Sequence, residues 1–181
     1  LPGKADATKP SAPAPATPKC PVGFIKGYTW GWNSRRGDYL TPGAADSMKK
    51  LADTGAQWIS LAYMCHMPAW NKPLILWGEA DPTMVSDEEI RHAIKLAREL
   101  KLKVILKPVV DLAPKAPAGK WRGTIDFKTA EGEKDEAAWA EWWKAYQAYI
   151  VHHAALAQET GCELFCIGCE MRTAEPFEKQ W

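Results

Sequence analysis

Short apolar stretches alternate with amphipathic stretches along most of this 181-residue chain, and this alternation constrains the fold more than any other feature. The apolar stretches predict four strands, at 24–30, 58–64, 103–110 and 162–170. The amphipathic stretches predict three helices, which begin near Thr41, Ser86 and Asp135. Parallel strands joined by helical crossovers accommodate this order, so the sequence predicts an α/β fold.

Two architectures have this order of elements, a closed (β/α)8 barrel and an open doubly wound sheet. No glycine-rich phosphate loop follows the first predicted strand, although nucleotide-binding open sheets usually have one there. The long aromatic and polar loops all follow strands, whereas the connections from helix to strand are short. This asymmetry concentrates functional side chains at the C-terminal ends of the strands, as in a TIM barrel. We therefore expect the first four β/α units of a (β/α)8 TIM barrel, which is a half-barrel.

The first residues differ in composition from the rest of the chain. Residues 1–19 lack apolar periodicity and are rich in proline and alanine. Such a segment buries too little apolar area to offset its ordering entropy, so we predict a flexible leader before one domain at 20–181. The chain begins with Leu rather than Met, which indicates that an upstream segment was removed. A tether of this kind is typical of the residues after a signal peptide, so a secreted or periplasmic protein is expected.

The charge balance argues against two classes of partner. The chain has 23 Lys and Arg residues against 22 Asp and Glu residues, which gives a net charge of +1. Binding to nucleic acid or to an acidic membrane surface depends on an excess of positive charge, so we expect neither partner. No apolar run reaches the roughly 18 residues that a membrane span needs.

The cysteines do not predict a metal site. Cys162, Cys166 and Cys169 have a C-x3-C-x2-C spacing that resembles some metal-binding motifs. On a strand, however, Cys166 and Cys169 point to opposite faces. Their neighbours are apolar, which is typical of cysteines that pack as small buried residues. We therefore predict neither a metal nor a cofactor.

Four polar side chains lie at or near the C-terminal ends of the predicted strands: His66, Lys107, Asp111 and Glu170. The alternation of side chains along a strand places each of them on the face that points into a barrel, at the rim where TIM barrels have their active sites. His66 also fits a satisfied core histidine, and Lys107 also fits an ion pair with Asp111. Glu170 is harder to explain structurally, because an unpaired buried carboxylate is costly and is typical of a tuned acid or base.

Ten tryptophans are a large number for a chain of this length. Three of them fall in the long predicted helix, where core packing explains at least two: Trp139, Trp142 and Trp143. Four others lie on loops that follow strands and are candidate platforms for stacking against sugar rings: Trp32, Trp70, Trp77 and Trp121. Polar candidates for hydrogen bonds to sugar hydroxyls lie on the same loops: Asn33, Asn71 and Arg122.

Three motifs occur in order along the chain: Gly27-Tyr-Thr-Trp-Gly-Trp32, Leu106-Lys-Pro108, and Cys166-Ile-Gly-Cys-Glu-Met171 followed by Arg172 and Glu175. Together they resemble the β-mannanases of glycoside hydrolase family 113, which are TIM-barrel enzymes of the large retaining clan. The resemblance runs from about Cys20 to the end of the chain, and this is the first half of such an enzyme.

The resemblance implies a retaining glycoside hydrolase acting on β-mannan or a related β-linked glycan, with Glu170 as general acid/base. Many members of the clan have Asn immediately before this Glu, whereas Cys169 stands there in this chain, so the resemblance leaves open how a substrate 2-hydroxyl is held. The nucleophile of the clan lies on a seventh strand that this chain lacks, so we expect little or no turnover from the chain alone. The residues expected to bind the glycan are Trp32, Asn33, His66, Trp70, Lys107, Asp111, Trp121 and Arg172.

Two other functions are compatible with these residues. One is a non-catalytic carbohydrate-binding half-barrel that uses the same rim. The other is a different TIM-barrel enzyme in which Lys107 is an amine nucleophile. The expected partner is an oligosaccharide or polysaccharide. A half-barrel also leaves two open sheet edges, so the missing C-terminal half of the barrel or a second copy is a further candidate partner.

Overall fold

The computed structural model of the protein describes residues 22–181, and the predicted flexible leader at 1–19 lies outside them. Four strands alternate with three α-helices in these residues: β1 (Gly27–Trp30), α1 (Pro42–Asp53), β2 (Trp58–Met67), α2 (Asp87–Glu99), β3 (Lys103–Leu112), α3 (Glu136–Glu159) and β4 (Leu164–Phe165). Single turns of 3-10 helix lie in the three loops that follow β1, β2 and β3, at Asp38–Leu40, Gly78–Ala80 and Arg122–Thr124. No helix among residues 22–181 is both long and apolar enough to cross a bilayer.

The strands form one parallel sheet in the order β1-β2-β3-β4. β2 and β3 pair along their whole length, and their register places Ala62 opposite Lys107 and His66 opposite Asp111. The predicted alternation of parallel strands and crossover helices is therefore confirmed. Because every strand runs in the same direction, the loops after the strands meet at one edge of the sheet.

The helices begin where the sequence predicts. Thr41 caps α1 ahead of Pro42, whose missing amide hydrogen has no cost at the first helical position. Ser86 and Glu89 form a capping box at α2, in which the Ser86 hydroxyl accepts from the Glu89 amide at 3.2 Å and the Glu89 carboxylate accepts from the Ser86 amide at 2.9 Å. The Asp135 carboxylate caps α3 by accepting from the Ala138 amide. These bonds satisfy backbone donors that otherwise have no partner within a helix.

The core lies between the sheet and the helices. The helix-facing side chains of β2 and β3 are almost completely buried: Ile59, Leu61, Tyr63, Cys65, Val104, Leu106 and Val110. Burial of each large aliphatic side chain contributes about 1.5–3 kcal/mol. Trp139, Trp142 and Trp143 of α3 join this core, as predicted. The opposite face of the sheet carries the half-buried side chains Ser60, Met64, His66, Lys107 and Asp111.

β2 and β3 extend further than the sequence predicts, so His66 and Asp111 are strand residues and not the first loop residues. The fourth strand is shorter than predicted. β4 contains two residues, whereas the prediction continued it to Glu170. The pairing of β3 with β4 ends at Phe165, and beyond it the carbonyl of Ile167 accepts a 2.7 Å hydrogen bond from the Tyr146 hydroxyl of α3. Strand alternation therefore does not extend to Glu170.

Candidate active site

A cleft of about 680 Å³ opens at the C-terminal ends of β2 and β3. Its lining comes from the loops after β1, β2 and β3 and from the inner face of the sheet. Polar and aromatic side chains in this lining include Trp32, Asn33, His66, Asp81 and Asp111. Four predicted rim or loop residues, Trp32, Asn33, His66 and Asp111, therefore share one cavity.

The loop after β2 folds back on the strand and supplies the partner of His66. Leu76 pairs with His66 in an antiparallel bridge, with a 2.9 Å bond from the Leu76 amide to the His66 carbonyl. This bridge returns the loop so that Asp81 Oδ2 lies 2.9 Å from His66 Nδ1. The second oxygen of Asp81 accepts from the Thr83 amide at 3.0 Å and from the Thr83 hydroxyl at 2.6 Å. Asp81 is therefore held from both sides.

These hydrogen bonds determine the charge of Asp81 and the orientation of the imidazole. Burial alone raises the pKa of Asp81, but the hydrogen bonds from Thr83 and His66 outweigh burial and lower that pKa. An ionised carboxylate can only accept, so Nδ1 of His66 carries a hydrogen and donates it to Asp81. Nε2 of His66 is then the ring atom available to a ligand in the cleft.

Arg122 connects the cleft to Glu170. It lies on the 3-10 turn after β3, and its Nη1 donates to Asp111 Oδ2 at 2.6 Å. Its Nη2 donates to the carboxylate of Glu170. The sequence left open an ion pair between Lys107 and Asp111, but the cation that binds Asp111 is Arg122. Lys107 Nζ instead lies 5.4 Å from the centre of the Trp32 ring, within the range of a cation–π contact.

Glu170 differs from the sequence-based expectation in its environment. Its side chain is 55% exposed and paired with Arg122, so the expectation of a buried, unpaired carboxylate is wrong. The reason is that β4 ends early and Glu170 lies in the open loop beyond it. Its backbone has a φ of 56°, in the left-handed region. This conformation costs a residue with a β-carbon about 1–2 kcal/mol, and such strain occurs frequently at functional sites.

Neighbouring contacts hold Glu170 in this strained position. Met171, the next residue, is 3% exposed and packs in the core, so it anchors the backbone on one side of Glu170. The Thr173 hydroxyl donates to the carbonyl of Ile125 in the loop after β3. The loop after β4 is thereby fixed against the loop after β3, which carries Arg122.

The remaining predicted residues fall into two groups. Trp121 and Arg172 lie around Arg122: the guanidinium carbon of Arg122 is 5.9 Å from the Trp121 ring centre, and that of Arg172 is 6.0 Å from it. Trp70 is separate from the cleft lining. It packs against the core, and Lys120 Nζ lies 3.4 Å above its ring.

The roles of Asp81 and Arg122 in organising the site are not predicted by the sequence. Both lie in long loops without periodicity, where spacing does not indicate which side chains will meet. The sequence shows only that both residues are polar and lie in loops that follow strands. This does not indicate that Asp81 pairs with His66 or that Arg122 pairs with Asp111. Those pairs depend on how each loop folds back onto the sheet.

Comparisons with known proteins give the family. The model of Glycoside Hydrolase Family 113 matches residues 28–181. The β-mannanase AaManA from Alicyclobacillus acidocaldarius, solved in complex with ManMIm, is 40% identical with a TM-score of 0.74, over 89% of this chain and 49% of that one. A β-1,4-mannanase of family 113 is 35% identical with a TM-score of 0.75, over 88% of this chain and 50% of that one. A complex of a family 113 β-1,4-mannanase is 34% identical with a TM-score of 0.73, over 88% of this chain and 50% of that one. A search of curated proteins finds no match.

These matches confirm the predicted architecture. Family 113 enzymes are TIM barrels, and the four parallel strands with their crossover helices correspond to half of that barrel. The chain spans about half the length of the solved relatives. On the family match and on these identities, the chain belongs to glycoside hydrolase family 113.

Proposed function

We propose that the protein containing this chain is a retaining glycoside hydrolase that cleaves β-1,4-mannan or a related β-linked glycan, with Glu170 as general acid/base. The observation that carries the proposal is the position of Glu170. This chain belongs to family 113, and its Glu170 follows the fourth parallel strand. The backbone of Glu170 has a left-handed conformation, and its carboxylate is linked through Arg122 to Asp111 in the cleft. The solved relatives are described as β-mannanases, which supports the choice of substrate.

The proposed chemistry requires two carboxyl groups. Glu170 in its acid form protonates the glycosidic oxygen as the bond to the anomeric carbon breaks, while a second carboxylate attacks that carbon and forms a glycosyl–enzyme ester. Glu170, now ionised, takes a proton from water, which hydrolyses the ester. We do not assign Asp111 as the second carboxylate, because the Arg122 guanidinium lies between it and Glu170. The proposal places the nucleophile outside residues 22–181.

The cleft offers groups that suit a sugar chain. The Trp32 ring is half-buried in the cleft lining and presents an apolar surface for a pyranose ring. Asn33, the free Nε2 of His66 and the carboxylate of Asp111 line the same cavity and can bond to hydroxyls. Binding of this kind combines one apolar platform with a few placed polar groups, as is typical of small-molecule sites.

The direct experiment measures reducing ends released from β-1,4-mannan by the protein that contains this chain. We expect Glu170→Gln to lower kcat by roughly 10²–10⁴-fold, the contribution of general acid–base catalysis. An aryl mannoside with a good leaving group needs no protonation, so the variant should form the glycosyl–enzyme ester from it at near-normal rate. Glu178→Gln, an exposed glutamate further along the same segment, is the matched control and should keep full activity.

Two results would refute this assignment. Unchanged turnover of mannan by Glu170→Gln would remove Glu170 from the chemistry. Binding of manno-oligosaccharides without turnover by the intact protein would instead support the non-catalytic carbohydrate-binding alternative. Membership in a glycoside hydrolase family favours carboxylate chemistry over an amine nucleophile at Lys107.

Export is also part of the proposal. The proline- and alanine-rich composition of residues 1–19, which is typical of the residues after a signal peptide, supports export. Cell fractionation followed by immunodetection tests this, and a protein confined to the cytoplasmic fraction would contradict it.

A further inference from the structure

A second group of polar side chains lies in the helix layer, apart from the cleft. Asp87 is the first residue of α2, and His152 and His153 are consecutive residues of α3. One ligand atom from each of the three lies within 4.8 Å of the other two. None of the three lines the cleft that contains His66 and Asp111. The glycosidase chemistry proposed above does not use them.

His153 has a buried nitrogen that lacks a partner. Its side chain is completely buried, and Nδ1 lies 2.8 Å from the Tyr149 carbonyl, which can only accept. Nδ1 therefore carries the hydrogen, and Nε2 has a free lone pair. No polar atom among residues 22–181 forms a hydrogen bond with this Nε2. Buried polar atoms are nearly always satisfied, so this nitrogen is a candidate ligand atom.

The surroundings fix the orientation of the His153 ring. The ring packs against Tyr149 and Trp77, with ring centres 4.5 and 6.0 Å away. The hydrogen bond from Nδ1 to a backbone carbonyl is the type of outer contact that orients a metal-bound histidine.

His152 and Asp87 complete a set of three donors. His152 Nε2 lies 2.8 Å from Asp87 Oδ2, and both side chains are partly exposed. Donor atoms around a tetrahedral zinc ion lie about 3.4 Å apart, given bonds of about 2.0–2.1 Å. The present separations, from 2.8 Å to at most 4.8 Å, bracket that value. A cavity of about 180 Å³ beside the group leaves room for a water ligand.

Two opposing electrostatic effects act on a cation beside Asp87. The N-terminus of α2 carries a partial positive charge, which disfavours a cation beside Asp87. Three acidic residues in that first turn oppose it: Asp87, Glu88 and Glu89. The nearby guanidinium of Arg36 is engaged with backbone oxygens, including a 2.6 Å bond to the Met84 carbonyl. The acidic turn therefore offsets the helix dipole at this position.

We propose that Asp87, His152 and His153 form a site for Zn²⁺ or a transition-metal ion of similar size, with water as the fourth ligand. Two imidazoles and one carboxylate are donors that zinc binds in proteins. Because the ligands come from α2 and α3, a bound ion joins two helices that the sheet positions separately. The site is independent of the proposed glycosidase function.

Titration of the full chain with Co²⁺ tests the proposal, because four-coordinate Co²⁺ has strong visible absorption. We expect a saturable visible band without the near-ultraviolet thiolate band that binding by Cys162, Cys166 or Cys169 would produce. Zn²⁺ should displace the Co²⁺ and raise the melting temperature of the chain by several degrees. His152→Gln and Asp87→Asn should each weaken Zn²⁺ binding at least about tenfold in calorimetry. Loss of a residue that only orients a metal ligand already weakens binding by about that factor, and these substitutions remove a ligand itself.

His92→Gln is the matched control, because His92 is an exposed histidine of α2 outside the group. It should leave the affinity unchanged. His153→Asn keeps a donor for the Tyr149 carbonyl and removes Nε2, so it should abolish the visible band. If that buried variant fails to fold, the partly exposed positions 87 and 152 still decide the question. A thiolate band, or an affinity unchanged in both His152→Gln and Asp87→Asn, would overturn the proposal and leave a hydrogen-bonded Asp–His pair only.

Discussion

Arg122 joins the cleft at the ends of β2 and β3 to Glu170 in the loop after β4. Its guanidinium contacts both Asp111, at the end of β3, and Glu170, beyond β4. Its side chain is 12% exposed, so its charge is largely removed from water. A charge in such a place is stable only when it is paired, and removal of one partner leaves the other without compensation. Arg122 is therefore expected to contribute to stability as well as to the geometry of the site.

We predict that Arg122→Met lowers the free energy of unfolding by about 1–3 kcal/mol, because Asp111 then lacks its cation in a mostly buried position. Urea denaturation followed by circular dichroism measures this change. Lys49→Met is the matched control, since Lys49 pairs with Asp53 on the exposed face of α1 and should give no measurable change. Equal effects of the two substitutions would contradict the role of Arg122.

The positions of Trp32 and Trp70 predict different effects on sugar binding. Trp32 lines the cleft, whereas Trp70 packs against the core beneath Lys120. We expect Trp32→Leu to weaken the binding of a manno-oligosaccharide at least about fivefold in calorimetry, since an aromatic stacking contact contributes about 1 kcal/mol. Trp70→Leu should change the melting temperature more than the affinity. The opposite pattern would place the sugar on the Trp70 side of the loops.

Asp81 gives a prediction about pH. In the unfolded chain its pKa has the ordinary value of 3.8, and in the folded protein it is lower. The stabilisation from ionised Asp81 is therefore fully present above the unfolded pKa and is lost as the pH falls through the folded pKa. We expect the stability difference between the parent chain and Asp81→Asn to shrink as the pH falls below about 4. Urea midpoints measured across this range test it, and a difference that does not change with pH would contradict it.

At the scale of elements, regular patterns predicted much of the fold. The capping residues Thr41 and Ser86 lie where spacing indicated, since the bonds they make are local in sequence. Alternation placed His66, Lys107 and Asp111 on the inner face of β2 and β3, because those strands pair along their whole length. The same alternation failed for β4. A strand paired with β3 over two residues does not impose a strict period on the residues beyond it.

The hydrogen bonds at the start of α2 are expected to contribute strongly to the stability of the fold. Glu89 is 2% exposed and accepts from two backbone amides, that of Ser86 at 2.9 Å and that of Gly37 at 2.7 Å. It therefore fixes both the helix start and the loop after β1. We predict that Glu89→Ala destabilises the chain by about 2–3 kcal/mol, whereas Ser86→Ala, which removes one cap, costs about 1 kcal/mol. Chemical denaturation of both variants compares them, and a smaller effect at Glu89 would contradict this account.

At the scale of the whole molecule, parallel pairing determines where function is concentrated. All strands run in one direction, so the loops that carry Trp32, Asp81, Arg122 and Glu170 meet at one edge of the sheet. The sequence predicted that edge from the lengths and composition of the loops. It did not predict the contacts within it, because a long loop is positioned by tertiary bonds such as the bridge between His66 and Leu76.

The central claim is that Glu170 is the acid/base of a retaining mechanism, and azide rescue tests it most directly. The measurement is turnover of an activated aryl β-mannoside by Glu170→Ala in the protein that contains this chain, with and without azide. We predict that azide accelerates turnover and yields the β-mannosyl azide, because the small anion attacks the glycosyl–enzyme ester without needing a general base. Absence of acceleration, or an azide product of α configuration, would contradict the assignment of Glu170.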